Sequence, residues 1–134
     1  MAKKDELKEK AAAFMAAEAE KPDMQKLDAG VLYKVLHKGK ESGATPRPNS
    51  VVTVHYKGTL MNGKEFDNSR KQRTPPAFRL SELITGWKIA LTKMHVGDKW
   101  LLIIPWNMGY GTRPCGDIPA FSPLIFEIEL LGIA

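Results

Sequence analysis

A chain of 134 residues, 43% hydrophobic and 26% charged, is long enough for one domain with a buried core, with room for a small appendage. No apolar run approaches the ~20 residues of a membrane-spanning helix, and the single cysteine, Cys115, rules out an intrachain disulfide and fits a reducing compartment. The net charge of +5 resides in residues 30–134, with fourteen basic and eight acidic side chains against six and seven in residues 1–29; because the basic residues are scattered and do not alternate with aromatics, no nucleic-acid partner is expected.

The opening Met-Ala-Lys-Lys-Asp-Glu lacks the apolar region of a secretory signal. A cytoplasmic location is therefore expected, or a periplasmic one if a signal peptide has been removed. Residues 4–20 are rich in Ala, Lys and Glu and predict a helix. Its apolar face is thin: Leu7, Ala11 and Phe14, with Met15 beside them. A short helix of this kind is marginal alone in water, so it must pack on the domain, pair with a second copy or fray. A monomer or a weak homodimer through this helix is the expectation. Pro22 ends the helix, and residues 21–30 read as a polar linker closing on Gly30.

From Val31 the hydrophobic period changes to two. Val31, Tyr33 and Val35 predict a first strand. Gly39 to Ser50 is loop. Val52, Val54, Tyr56 and Leu60 mark one face of a second strand, which runs into Asn62-Gly63, a strong hairpin signal. The return strand carries Phe66 and Asp67. Residues 68–77 are irregular and basic, and Phe78 and Leu80 resume extended structure. A helix over about 86–94 places Trp87, Leu91 and Met94 on one face. Trp100, Leu102 and Ile104 form the next strand, Pro105 stops it, and a loop over 105–122 leads to the last strand with Leu124, Phe126, Ile128 and Leu130 inward. The fold class is α+β: an antiparallel five-stranded half-barrel sheet wrapped on one short central helix and preceded by an N-terminal helix. The division is 1–29, helical extension and linker, and 30–134, the domain.

The three histidines (His37, His55, His95) stand in separate elements without ligand spacing, so no metal is expected. No Gly-rich phosphate loop and no Gly-x-Ser-x-Gly elbow is present, and no cofactor is expected. Cys115 has no His nearby in sequence to act as a base, which argues against a nucleophilic thiol. His55 reads as a hydrogen-bonded structural histidine. What remains is an aromatic set: Tyr56 and Phe66, facing each other across the hairpin, with Phe126 from the last strand and Trp87 from the helix start. With one carboxylate and one phenol, these residues suit a pocket for a neutral ligand of proline size. They would equally serve as plain core, and composition leaves both readings open.

The segments Val54-His55-Tyr56-Lys57-Gly58, Asn62 to Arg70, Leu83-Ile84-Thr85-Gly86-Trp87, Met94-His95-Val96-Gly97-Asp98, Gly109-Tyr110-Gly111, Ile118-Pro119 and Leu124 to Leu131 resemble the FKBP family, the macrolide-binding peptidyl-prolyl cis-trans isomerases. The match covers about residues 30–134 in the family's order. The N-terminal part resembles a shortened form of the helical extension of macrophage-infectivity-potentiator-like members. The resemblance implies an isomerase domain with a substrate pocket of Tyr56, Phe66, Leu83, Ile84, Trp87, Ile118 and Phe126. It also implies that the backbone N–H of Ile84 and the Tyr110 hydroxyl donate to ligand carbonyls, and that Asp67 and Tyr110 assist turnover. Proline-containing peptides, unfolded protein clients and macrolide inhibitors are the implied partners. The alternative is a proline-binding or chaperone module without turnover. Departures from the family lie at the rim: Gln72 where Arg is frequent, with Arg73 one place on; Pro76 for a larger apolar residue; a 110–118 loop about one residue short, carrying Cys115; and Ala120 for a second proline.

Overall fold

A computed structural model of the chain describes residues 2–39, 43–71 and 73–134, with the side chains of residues 2–4 left undefined. Gln72, one of the rim departures, therefore lies outside the described residues, as do residues 40–42 of the long second loop. The N-terminal helix α1 spans Ala2–Ala19, and the chain turns before Pro22. Its thin apolar face packs on the domain: Ala11 is almost fully buried, Leu7 lines a small cleft together with Leu60–Asn62 and Pro119–Ser122, and the Lys8 ammonium sits 5.3 Å from the centre of the Phe121 ring.

Among the described residues seven strands form one sheet: β1 (Gln25–Lys26), β2 (Leu32–His37), β3 (Val51–Leu60), β4 (Glu65–Asn68), β5 (Ala77–Arg79), β6 (Lys99–Ile104) and β7 (Leu124–Ile133). Their order is β1-β2-β6-β7-β3-β4, with β5 also pairing β3, and every pairing is antiparallel. The two strands beyond the expected five are short. β1 lies in the segment read as a linker; it is held to β2 by the Tyr33 hydroxyl donating to Gln25 Oε1 at 2.9 Å and by the Leu27 N–H donating to the Val31 carbonyl at 2.7 Å. A two-residue strand has too little periodicity to be visible in sequence.

Strand β3 is the axis of the sheet. Along one edge it pairs with β7 over its whole length. Its other edge is shared: Val51–Thr53 pair with β5, and Lys57–Thr59 pair with β4. The period-two pattern does its work here, since Val52, Val54, Tyr56 and Leu60 are all buried. They face α2 (Thr85–Leu91), whose inner side presents Trp87, Ala90 and Leu91, followed by Met94 just past the helix end. This helix stops about a turn earlier than the 86–94 expectation, where the Thr92 hydroxyl takes the carbonyls of Lys88 and Ile89 at 3.0 and 3.1 Å, an arrangement that competes with helix continuation. Gly86 lets α2 lie close on the sheet, because a Cβ there would stand 2.6 Å from Ile104 Cγ2. Among the described residues no helix is long and apolar enough to cross a membrane.

Candidate functional site

The site opens where β3 meets its hairpin partner. Pairing runs from Asn68 opposite Lys57 to Asp67 opposite Gly58, then jumps to Glu65 opposite Thr59. Phe66 is thus the extra residue of a β-bulge. In a regular strand consecutive side chains point to opposite faces. The bulge instead allows Phe66 and Asp67 to line one cavity.

It also corrects the expected pairing of Tyr56 with Phe66 across the hairpin. The Phe66 ring lies over Gly58 and meets Phe126 edge-on, with centroids 5.5 Å apart. A Cβ at Gly58 would stand 2.6 Å from Phe66 Cζ and 2.8 Å from Phe126 Cε1, so only glycine leaves both rings in place. Tyr56 turns to the carboxylate: its hydroxyl donates to Asp67 Oδ2 at 2.8 Å. Asp67 Oδ1 accepts the Asn68 N–H at 2.9 Å, which fixes the carboxylate plane from its own backbone.

The floor is Trp87, 4% exposed, in the first turn of α2. The extended cap residue Ile84 receives the N–H groups of Trp87 and Lys88 at 3.1 and 3.2 Å. Among the described residues, no hydrogen bond uses the Ile84 N–H itself. The indole meets Tyr56 and Phe126 edge-on, both at 5.2 Å, and Phe78 at 6.2 Å. Phe78 is a wall residue that the sequence reading placed only in extended structure. It reaches the cavity because β5 pairs it with Val52, next to Tyr56 at 6.1 Å. The signal that would have found it is an isolated aromatic just after a proline pair, opposite a strong strand.

The remaining wall comes from the β6–β7 loop. Tyr110 is 42% exposed and lines the cavity together with Leu83 and Ile84. The loop is tied down beside it by the Gly111 N–H donating to the Trp106 carbonyl at 2.9 Å and the Phe121 N–H donating to the Gly111 carbonyl at 3.0 Å. Ile118 does not line the cavity. It is buried in the core, and its N–H and carbonyl close a tight turn with Cys115. The other eight expected residues surround one cavity of about 170 Å³.

Electrostatics keep the two phenols neutral. Burial first, then the hydrogen bond to Asp67 and its charge, push the Tyr56 phenol well above its ordinary range. Burial, then Cys115 and Asp67, also raise Tyr110. The site is an aromatic box with hydrogen-bonding groups at its rim. His55 sits behind this wall, its Nδ1 3.2 Å from the Ser69 hydroxyl, as a hydrogen-bonded structural residue.

Comparison with known proteins places this geometry among relatives. Residues 42–131 match the family model described as FKBP-type peptidyl-prolyl cis-trans isomerase. The FKBP-type peptidyl-prolyl cis-trans isomerase FkpA of Buchnera aphidicola is 46% identical over 110 residues, 82% of this chain and 45% of that one. The outer membrane protein MIP of Legionella longbeachae is 38% identical over 132 residues, 98% of this chain and 56% of that one. The chain thus spans about half the length of these curated relatives. A crystal structure of a peptidyl-prolyl cis-trans isomerase from Pseudomonas syringae pv. tomato superposes with a TM-score of 0.90 at 40% identity, over 97% of this chain and 95% of that one.

Proposed function

We propose that this chain, which belongs to the FKBP-type peptidyl-prolyl cis-trans isomerase family, accelerates rotation about X-Pro bonds in peptides and in unfolded protein clients. The observation that carries this reading is the aromatic box of Tyr56, Phe78, Trp87 and Phe126, lined also by the polar pair Asp67 and Tyr110. An X-Pro bond turns slowly because twisting loses amide resonance, a barrier of ~18–20 kcal/mol in the generic peptide. The planar amide is the more dipolar state and is favoured by water. A cavity floored by a 4%-exposed indole removes that water and favours the twisted amide. In this reading the Ile84 N–H, which no hydrogen bond among the described residues uses, and the Tyr110 hydroxyl, both at the cavity, hold the carbonyls on either side of the bond. No nucleophile and no proton transfer is required.

The same box supports binding of macrolides of the FKBP-binding type. Its volume is below the ~300–1,000 Å³ of a pocket that engulfs a drug-sized ligand, so a macrolide would insert one ring and leave the rest on the rim, where Pro76 and the 110–118 loop depart from the family. The helix α1 seats its apolar face on its own domain, which favours the monomer over a dimer through this helix. A cytoplasmic location finds no support among the relatives, one of which is named as an outer membrane protein.

The test is NMR exchange or protease-coupled isomerisation on a proline tetrapeptide, with and without a macrolide. Acceleration abolished competitively by the macrolide is the expected result. Tight peptide binding without acceleration would replace the enzyme with a proline-binding module.

A further inference from the structure

The edge of β3 that β4 and β5 share has a gap. β5 ends its pairing at Thr53 and β4 begins at Lys57. The Val54 N–H at the near side of the gap is taken by the Pro76 carbonyl at 3.2 Å. At Tyr56 no strand is present, and an unmatched backbone N–H and carbonyl inside a core cost free energy. One side chain fills the place: Ser69, fully buried in the short 3-10 turn Ser69–Lys71. Its Oγ accepts the Tyr56 N–H at 2.7 Å and donates to the Tyr56 carbonyl at 3.1 Å. A hydroxyl has one proton and two lone pairs. With the proton given to the carbonyl, the second lone pair faces His55 Nδ1 at 3.2 Å, so His55 carries its hydrogen on Nδ1 and donates it to Ser69.

Ser69 therefore does for Tyr56 what a neighbouring strand would do, and it does so from a position two residues after Asp67. The hairpin is closed twice over the same short span: by Ser69 onto the Tyr56 backbone, and by the Tyr56 hydroxyl onto Asp67 at 2.8 Å. Between these two points the ladder has only two pairs, Lys57 with Asn68 and Gly58 with Asp67, before the bulge at Phe66 shifts the register, so these hydrogen bonds reinforce a short run of pairing in holding Asp67 against Tyr56. We propose that Ser69, with His55 behind it, is a positioning residue that sets the backbone of Tyr56 and, through the Tyr56 hydroxyl, the Asp67 carboxylate at the pocket rim. Ser69 touches no substrate; its effect on the isomerase reading, on which the kinetic half of the test rests, passes through Tyr56.

The experiment is a double-mutant cycle with a spectroscopic readout. Ser69→Ala in the full chain is expected to lower kcat/KM about tenfold, the scale of one or two neutral hydrogen bonds, and to remove the protected Tyr56 hydroxyl proton resonance. In a Tyr56→Phe background, which lacks the hydroxyl, the same Ser69→Ala change is expected to alter kcat/KM by less than about twofold. Ser69→Cys, nearly the same size and a weak donor and acceptor, should fall between wild type and Ser69→Ala; it carries the test if the alanine variant fails to fold. Equal losses in both backgrounds, or a Tyr56 hydroxyl resonance untouched by the Ser69 changes, would overturn the proposal. A wild type that shows no isomerase activity would defeat the functional reading, and the hydroxyl resonance would still decide the role of Ser69.

Discussion

Asp67 and Tyr110 are the two residues at which isomerisation by desolvation and by acid–base chemistry predict different numbers. If proton transfer drove turnover, Asp67→Asn or Tyr110→Phe would remove most of it, since a positioned acid or base contributes about 10²–10⁴-fold. In the desolvation mechanism Tyr110→Phe removes one neutral hydrogen bond, worth roughly 0.5–1.5 kcal/mol, and Asp67→Asn turns the charge-assisted bond from Tyr56 into a neutral one, a difference of about 1–1.5 kcal/mol, so each loss is about tenfold. Both phenols are raised above their ordinary value of 10.0 and stay protonated through neutral pH. The rate is therefore expected to be flat from pH 6 to pH 8. A raised folded-state value also fixes the sign of the stability effect. The contribution of these phenols is fully present below the unfolded value of 10.0 and is lost as the pH rises past it toward the folded value. Measuring kcat/KM for wild type and both variants across pH 6–8 checks this. A thousandfold loss or a bell-shaped profile would return the site to acid–base chemistry.

At the scale of elements, the bulge that brings Phe66 and Asp67 to one cavity depends on Gly58. Gly58→Ala puts a methyl group against Phe66 Cζ and Phe126 Cε1. Phe126 is buried and cannot yield; Phe66 is half-buried and can swing outward. The expected outcome is a stability loss near the low end of the ~1–3 kcal/mol typical of overpacking, with a larger relative loss of proline-peptide affinity because the wall opens. Calorimetry and a melting curve on the same variant measure both, and unchanged affinity would show that the Phe66 wall is not part of the binding surface. The long alternating strands β3, β6 and β7, the Asn62-Gly63 hairpin and the Trp87 helix were legible in the sequence because each carries its period within its own residues. The pairing of Tyr56 with Phe66 was misjudged because a bulge has no local signature: it shifts register by one residue and so changes every facing relation beyond it. Phe78 was missed because its strand, Ala77–Arg79, is too short to show a period and is placed by its partner β3. Ile118 was assigned to the pocket by family position; it is buried beside the turn that it closes with Cys115 and is not among the residues that line the cavity. The resemblance named the other eight wall residues, but the clamp by Ser69 depends on two separated elements meeting, which no local pattern records.

For the whole molecule the question is whether the domain needs its N-terminal helix. Every cavity residue lies between Tyr56 and Phe126, while α1 sets Lys8 over the Phe121 ring and Leu7 at a cleft it shares with Leu60–Asn62 and Pro119–Ser122. Behind that segment, Phe121 meets Trp106 edge-on at 4.8 Å and bonds to Gly111, the neighbour of Tyr110. Helix and pocket thus share a loop without sharing a residue. Deleting residues 1–29 would bare Phe121 and Leu60, and would remove β1, which pairs only with Leu32 and Tyr33. Exposing one or two apolar side chains costs roughly 1.5–3 kcal/mol each at most. For a domain of this size that is a fall of several degrees or more in Tm. The backbone bonds from Gly111 to Trp106 and Phe121 are made within the fragment 30–134 and are unaffected by the cut. The fragment is therefore expected to fold and to isomerise a short tetrapeptide within about threefold of the full chain, at a lower Tm. Activity on an unfolded protein is expected to fall further if α1 contributes to client contact, and comparing the two substrates separates that role from support of the fold. A fragment that melts cooperatively but loses more than about tenfold on the tetrapeptide would show instead that α1, through Phe121 and Gly111, holds Tyr110 at the mouth of the pocket.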